Sequence, residues 1–197
     1  MIPIGFRLSK TESGLAPQYT PYIIAASASA WIGAMLETVP STTANGVQNA
    51  SAVTDNMLGV CIDLIAKNGL TYRQNPDLFD GTVIAAVTGD KYTAASDNLT
   101  DKKIAALVME CSNDVILSAI LTAAMGTTAG SDKVMNFIDL YATDPRYLDE
   151  ASITGTWPAN FRLVPGVASD DPTDPACPNS TVRVLCKLVE AQYQKAQ

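Results

Sequence analysis

The sequence predicts a mainly β protein: a single β-barrel or β-sandwich domain with an extended N-terminal arm and little helix. Three observations carry that expectation. Short apolar runs recur along the chain, separated by Gly/Asn/Asp turn signals. Near the end, in "PNSTVRVLCKLVEAQYQ", Val182, Val184, Cys186 and Leu188 alternate with Thr181, Arg183 and Lys187, the two-residue period of a half-buried strand. The first 22 residues carry many apolar side chains but no sustained period.

The 197 residues suffice for one substantial domain, and 47% are hydrophobic. A chain of this size buries roughly 70% of its extended surface on folding. The low hydrophobicity and high charge that mark disorder are absent.

Residues 1–22, "MIPIGFRLSKTESGLAPQYTPY", come first. Pro3, Pro17 and Pro21 argue against a regular element there. Two readings stand: an arm lying on another chain, or a segment packed on its own domain. The expected division is an arm over 1–22 and a β-rich domain over 23–197. On the first reading Ile2, Ile4, Phe6, Tyr19 and Tyr22 form the partner interface, and the arm can be deleted without loss of the fold.

From residue 31 the runs become regular. "WIGAMLETV", "NGVQNASAV", "NMLGVCIDLIA" and "NGLTYRQ" follow one another, with Asn45-Gly46 and Asn68-Gly69 as the strongest hairpin signals. "GTVIAAVTGDKYTAA" places a tight turn at Gly89-Asp90. "KIAALVMEC" and "VILSAIL" flank a turn at Ser112-Asn113-Asp114. "DVILSAILTAAMG" (114–126) fits a capped helix as well as a strand. Val115, Ile116 and Ile120 are β-branched and favour the strand. "SDKVMNFIDLYA" (131–142) is open between strand and a helical turn. "NFRLVPGV" (160–167) reads as a strand ended by Pro165, and an acidic Pro-rich loop (168–179) leads into the last strand. No internal repeat is visible.

Composition narrows the function. Net charge is −7 and the pI about 4.4, which weighs against phosphate-neutralising contacts with nucleic acid. "PYIIAASASAWIGAML" (21–36) is uncharged, yet it is short and weakly apolar for a membrane span and lacks the basic flank of an export signal. No nucleic acid and no membrane partner are therefore expected, and a soluble protein used without export is. The chain has no histidine, which rules out Ser-His-Asp and Cys-His catalysis.

None of the four cysteines forms a CxxC pair. Cys61, Cys111 and Cys186 lie in apolar runs and read as buried free thiols. Cys177 lies in the Pro-rich loop, and a Cys177–Cys186 bridge has no support beyond nearness in sequence. "GTTAGSDK" (126–133) lacks the phosphate-loop order. Asp170, Asp171 and Asp174 lack a calcium-loop spacing and read as a solvated loop. Tyr141, Asp144, Pro145, Arg146 and Tyr147 read either as a recognition surface or as a self-pinned turn. Trp31 and Trp157 are too far apart in sequence to be read as a stacking platform. No catalytic residue, cofactor or metal is expected.

"ASASAWIGAMLETV", "NGVQNASAV", "LGVCIDLIAKNGL" and "GTVIAAVTGDKYTAASDN", in that order, resemble the small structural proteins of tailed-bacteriophage heads. The close, "NFRLVPGV" followed by an acidic loop and "NSTVRVLCKLVEAQY", is similar to the end of that family. The resemblance spans roughly residues 25–194. It departs from the family at Gly33-Ala34, where an acidic residue would follow the glycine, and in lacking a histidine near the final strand. It implies a capsid decoration, or cement, protein: a non-enzymatic virion component, a homotrimer in many relatives, bound to the major capsid protein outside the head. It also implies assembly in bacterial cytoplasm, which suits unpaired thiols. A head fibre or receptor-binding virion protein, and a Cys-dependent enzyme, are the alternatives.

Overall fold

The computed structural model describes residues 5–39, 46–51, 57–79, 91–122, 136–155, 159–164 and 183–189, with the backbone of 81–83. The first strands are β1 (Arg7–Thr11), β2 (Tyr19–Ile24), β3 (Ser29–Trp31), β4 (Met35–Thr38) and β5 (Gly46–Asn49). β6 (Met57–Ala66), β7 (Gly81–Val83) and β8 (Lys91–Ala94) follow, then the one-turn helix α1 (Asn98–Asp101) and β9 (Ile104–Glu110). The chain continues through β10 (Val115–Leu121), β11 (Phe137–Leu140), β12 (Tyr147–Thr154), β13 (Phe161–Val164) and β14 (Arg183–Leu188).

Two rings organise these strands. β2-β5-β4-β6-β9 close a barrel, with β9 returning to β2. β10-β12-β11-β13-β14 close a second ring, because β14 returns to pair with β10. β1 adds to β10 outside that ring. β3, β8 and β7 form a small separate sheet whose strands flank those of the first ring in sequence.

The rings have the same plan. Numbered within each ring, the strand order is first-third-second-fourth-fifth, and the first–third pairing is the parallel one in both. Register agrees as well. Ile24↔Val47 corresponds to Leu121↔Leu148 in the parallel pair. Leu36↔Gly59 corresponds to Ile138↔Phe161, and Cys61↔Val108 to Leu163↔Cys186. Thr20↔Val108 then corresponds to Leu117↔Cys186, which closes each ring on the same residues. Even a flanking bond repeats: Ala25 N–H donates to the Val47 carbonyl at 3.0 Å, and Thr122 N–H to the Leu148 carbonyl at 2.9 Å. Mainly β barrel architecture is as expected; the sequence does not disclose that the ring occurs twice.

Alternation explains the cores. Ile24, Leu36, Val47, Cys61 and Val108 pack inside the first ring with Leu58, Leu64 and Ala106. Their counterparts Leu121, Ile138, Leu148, Leu163 and Cys186 pack inside the second. Met35, Met57, Val60 and Met109 belong to first-ring strands but join the second cluster, so the rings share an apolar seam. Asn98, fully buried, closes the turn before β9 by accepting from Ile104 N–H and donating to the Ile24 and Ile104 carbonyls.

Several expectations can be placed. Residues 115–121 form a strand, and within 131–142 the described stretch 137–140 is a strand. Gly69, at φ +84°, makes the Asn68-Gly69 turn, with Asn68 Oδ1 accepting from Leu70 N–H. Gly89-Asp90, Asn45, Trp157, Cys177, the 126–133 loop and the acidic 168–179 loop lie outside the described residues. One expectation is corrected: residues 1–22 do hold regular structure. β1 and the start of β2 lie within them, because their backbone groups find ladder partners in β10 and β9 despite the prolines.

Candidate interaction surface

The N-terminal segment is the natural place to look for a binding surface. Gly5 takes φ +101°, and a Cβ there would meet the Gly33 carbonyl oxygen at 2.3 Å. The chain can therefore press against the turn before β4, where Phe6 N–H donates to that carbonyl at 2.9 Å. Phe6 is 2% exposed and stacks on Phe161 with centroids 5.2 Å apart. Arg183, buried in β14, donates from Nη1 to the Gly5 carbonyl at 3.1 Å. Beyond β1, Ser13 N–H donates to Asp114 Oδ1 at 2.7 Å, and Lys187 pairs with Glu12 at 2.7 Å. The Ser13 bonds hold the Asp114 carboxyl below its ordinary value.

These contacts sort the five arm residues. Ile2 and Ile4 lie outside the described residues. Phe6 fills the chain's own core and is not available to a partner, which corrects its assignment to an outward interface. Tyr22 is half-buried, and its hydroxyl donates to Glu110 Oε1 at 2.7 Å. Tyr19 stands out, 48% exposed at the start of β2. It lines a groove of about 350 Å³ with Leu8, Ile62, Leu107, Asp63 and Arg73.

The Tyr141–Tyr147 stretch is a turn docked on the first ring. Asp144 accepts from Arg146 Nε at 2.8 Å and Nη2 at 2.6 Å, and pairs with Lys91 of β8 at 3.1 Å. Burial raises the Asp144 pKa, but the Arg146 hydrogen bond and charge, with Lys91, outweigh it and leave it lowered. Lys91 Nζ lies 4.3 Å from the centroid of the Trp31 ring, and Met35 N–H donates to the Pro145 carbonyl at 3.0 Å. Arg146 is 4% exposed. The cluster thus clamps the second ring to the first through Met35 and to the small β3-β8-β7 sheet through Lys91, and offers a partner little surface. Its sequence signal, an Asp-Pro-Arg turn between aromatics, is real, but the docking partner is not local.

Cys61, Cys111 and Cys186 are free and buried. Burial pushes the Cys111 thiol up to about 12 and raises Cys61 and Cys186 as well. A nucleophilic or metal-binding cysteine needs the opposite shift. Among the described residues no three His, Cys, Asp or Glu side chains gather to hold a metal, and no helix is long and apolar enough to cross a membrane. No protein family, curated protein or solved structure matches the chain.

Proposed function

We propose that this is a non-enzymatic virion structural protein that binds the outer surface of a phage head and stabilises the lattice of the major capsid protein. The observation that carries the reading is the ordered series of strand motifs over residues 25–194 that resembles tailed-phage head proteins. The character of the molecule agrees with it. Two rings with filled cores, buried high-pKa thiols and an acidic surface suit a rigid adaptor presented at high local density. On this reading it assembles in host bacterial cytoplasm and resides on the head exterior, a homotrimer if it follows the family.

Purified heads lacking the protein provide the test. Added protein should co-sediment with them, saturate at a fixed ratio to the major capsid protein, and raise the temperature at which heads release their DNA. Failure to co-sediment would remove the proposal. Labelling confined to tail tips in electron micrographs would favour the head fibre or receptor-binding reading instead.

A further inference from the structure

The registers of the two rings differ along β6, and a groove lies at the difference. Cys61 is opposite Val108 and Asp63 is opposite Leu107, so Ile62 is an extra residue, a β-bulge. The equivalent pairs of the second ring, Leu163↔Cys186 and Val164↔Leu185, run on without a slip. Cys61 and Leu64 stay in the first-ring core. Between them the bulge leaves two consecutive side chains half-buried, the aliphatic Ile62 and the acidic Asp63. Both line the groove of about 350 Å³ beside Leu8, Tyr19 and Leu107. Bulges re-aim side chains and are over-represented next to functional sites.

The chain brings the opposite charge to the same place. Beyond the Asn68-Gly69 turn it folds back along β6: Thr71 bridges Ile65, and Tyr72 N–H donates to the Leu64 carbonyl at 2.8 Å. The Tyr72 ring is held against Phe79 and Tyr92. The next residue, Arg73, is exposed and lines the groove. Asp63 Oδ1 accepts from Leu64 N–H at 2.9 Å, which orients the carboxylate. Among the described residues neither Asp63 nor Arg73 pairs with a charged side chain, although both line one groove. Their charges do reach a common neighbour: burial raises the Cys61 pKa, Asp63 raises it further and Arg73 lowers it.

Opposite charges that share an apolar groove without neutralising each other suit a ligand that carries both. A simple anion would face Asp63, and a simple cation would face Arg73 and Arg7. The backbone inside a peptide carries neither charge, and a peptide end carries one. A volume of about 350 Å³ is near the small end of ligand sites, which run from about 300 to 1,000 Å³. Leu8, Ile62 and Leu107, with the Tyr19 ring, supply apolar surface.

We propose that this groove binds a free apolar α-amino acid, its carboxylate on Arg73, its ammonium on Asp63 and its side chain against Leu8, Ile62 and Leu107. The proposal does not depend on capsid binding, and its test uses the protein alone.

Two-dimensional NMR of the isotope-labelled full chain, titrated with L-phenylalanine to about 10 mM, reads dissociation constants into the millimolar range. The Ile62 and Leu107 methyl signals should shift and saturate. 3-Phenylpropionate lacks the ammonium, 2-phenylethylamine lacks the carboxylate, and N-acetylphenylalanine amide lacks both charges. Each should bind about tenfold more weakly or worse, the weight of one charged hydrogen bond. Arg73→Gln should weaken L-phenylalanine by about the same factor and leave 2-phenylethylamine unchanged. Asp63→Asn keeps an acceptor for Leu64 N–H; it should weaken L-phenylalanine and leave 3-phenylpropionate no weaker. Circular dichroism confirms that each variant folds, and Arg73→Gln, at an exposed position, decides the matter if Asp63→Asn does not. A wild type that leaves both methyl signals unmoved overturns the proposal. So do analogues that bind as tightly as L-phenylalanine, the capped amide included, or an Arg73→Gln protein that binds it as the wild type does.

Discussion

The first and second rings reach the same register with different side chains. Ile24, Leu36 and Val47 become Leu121, Ile138 and Leu148. Cys61 faces Val108 across the fourth and fifth strands, while Leu163 faces Cys186. The small thiol changes strands and keeps an aliphatic residue opposite it. A ring interior of this size demands apolarity and volume from each pair more than a particular residue. The difference lies in what closes the packing. The first ring has an aromatic cluster from segments between its own strands: Tyr72, Phe79 and Tyr92, with centroids 5.4–5.8 Å apart. The second takes Phe6 from the far N-terminus to cover Phe161. At the position equivalent to Phe161 the first ring has Gly59, where a Cβ would meet the Met109 carbonyl at 2.1 Å. One ring is finished locally, the other by a segment from the opposite end of the chain.

The sharpest way to break this comparison is to remove the distant piece. Phe6→Ala should cost about 3–5 kcal/mol, through lost burial and the cavity left beside Phe161. Denaturant unfolding monitored by circular dichroism measures it, and a loss under about 1 kcal/mol would mean that the second ring closes without Phe6. Deletion of residues 1–22 should for the same reason prevent folding, since it removes β1, Phe6 and most of β2.

Matched truncations test the equivalence itself. Ile24→Ala and Leu121→Ala should each cost about 2–5 kcal/mol. They should agree with each other more closely than either agrees with an exposed-site control such as Leu15→Ala. The shared seam through Met35, Met57, Val60 and Met109 predicts one unfolding transition for both rings. Two resolved transitions would show that the rings are energetically separate.

The Asp144 clamp between the second ring and the small sheet ranks next. Asp144→Ala leaves Arg146 buried without its carboxylate and should cost about 3 kcal/mol. Acid should act through the same group. Its folded pKa is lowered, so its contribution is complete above the ordinary carboxylate value of about 3.9 and is lost as pH falls through the lower folded value. Asp139 acts oppositely: burial raises its pKa, so ionising it disfavours the fold above that raised value. In Asp144→Ala the acid-induced loss should shrink. If the stability–pH curve below about pH 4 keeps its slope, Asp144 is not the group responsible.

The smallest effect belongs to the exposed Lys187–Glu12 pair, which ties β1 to β14. Lys187→Ala should cost less than about 1 kcal/mol, and half-molar salt should abolish the difference. A larger, salt-insensitive loss would mean that β1 depends on this pair more than on its ladder with β10.

By itself the sequence determined the mainly β character and several of the later strands, but not β1 or the start of β2. Alternation in 183–188 marks the face of β14 that joins the core, though the structure also buries Arg183 and Leu185 on the face read as polar; β-branched residues made 115–121 a strand over the competing helix, and apolar surroundings marked Cys61, Cys111 and Cys186 as buried thiols. Those are local properties, because the side-chain period and the backbone preference are set within a few residues. Tertiary structure alone decided the partners. The apolar run of β10 marks it as a buried strand, but not that Leu121 and Ile24 each end the first strand of a ring with the same order and register. Nothing local says that Phe6 belongs over Phe161 or that Asp144 meets Lys91. Ladder pairs join residues as far apart as Arg7 and Ser118, and the Arg183 side chain reaches the Gly5 carbonyl from near the other end of the chain. Partner choice is a cooperative property of the whole packed sheet.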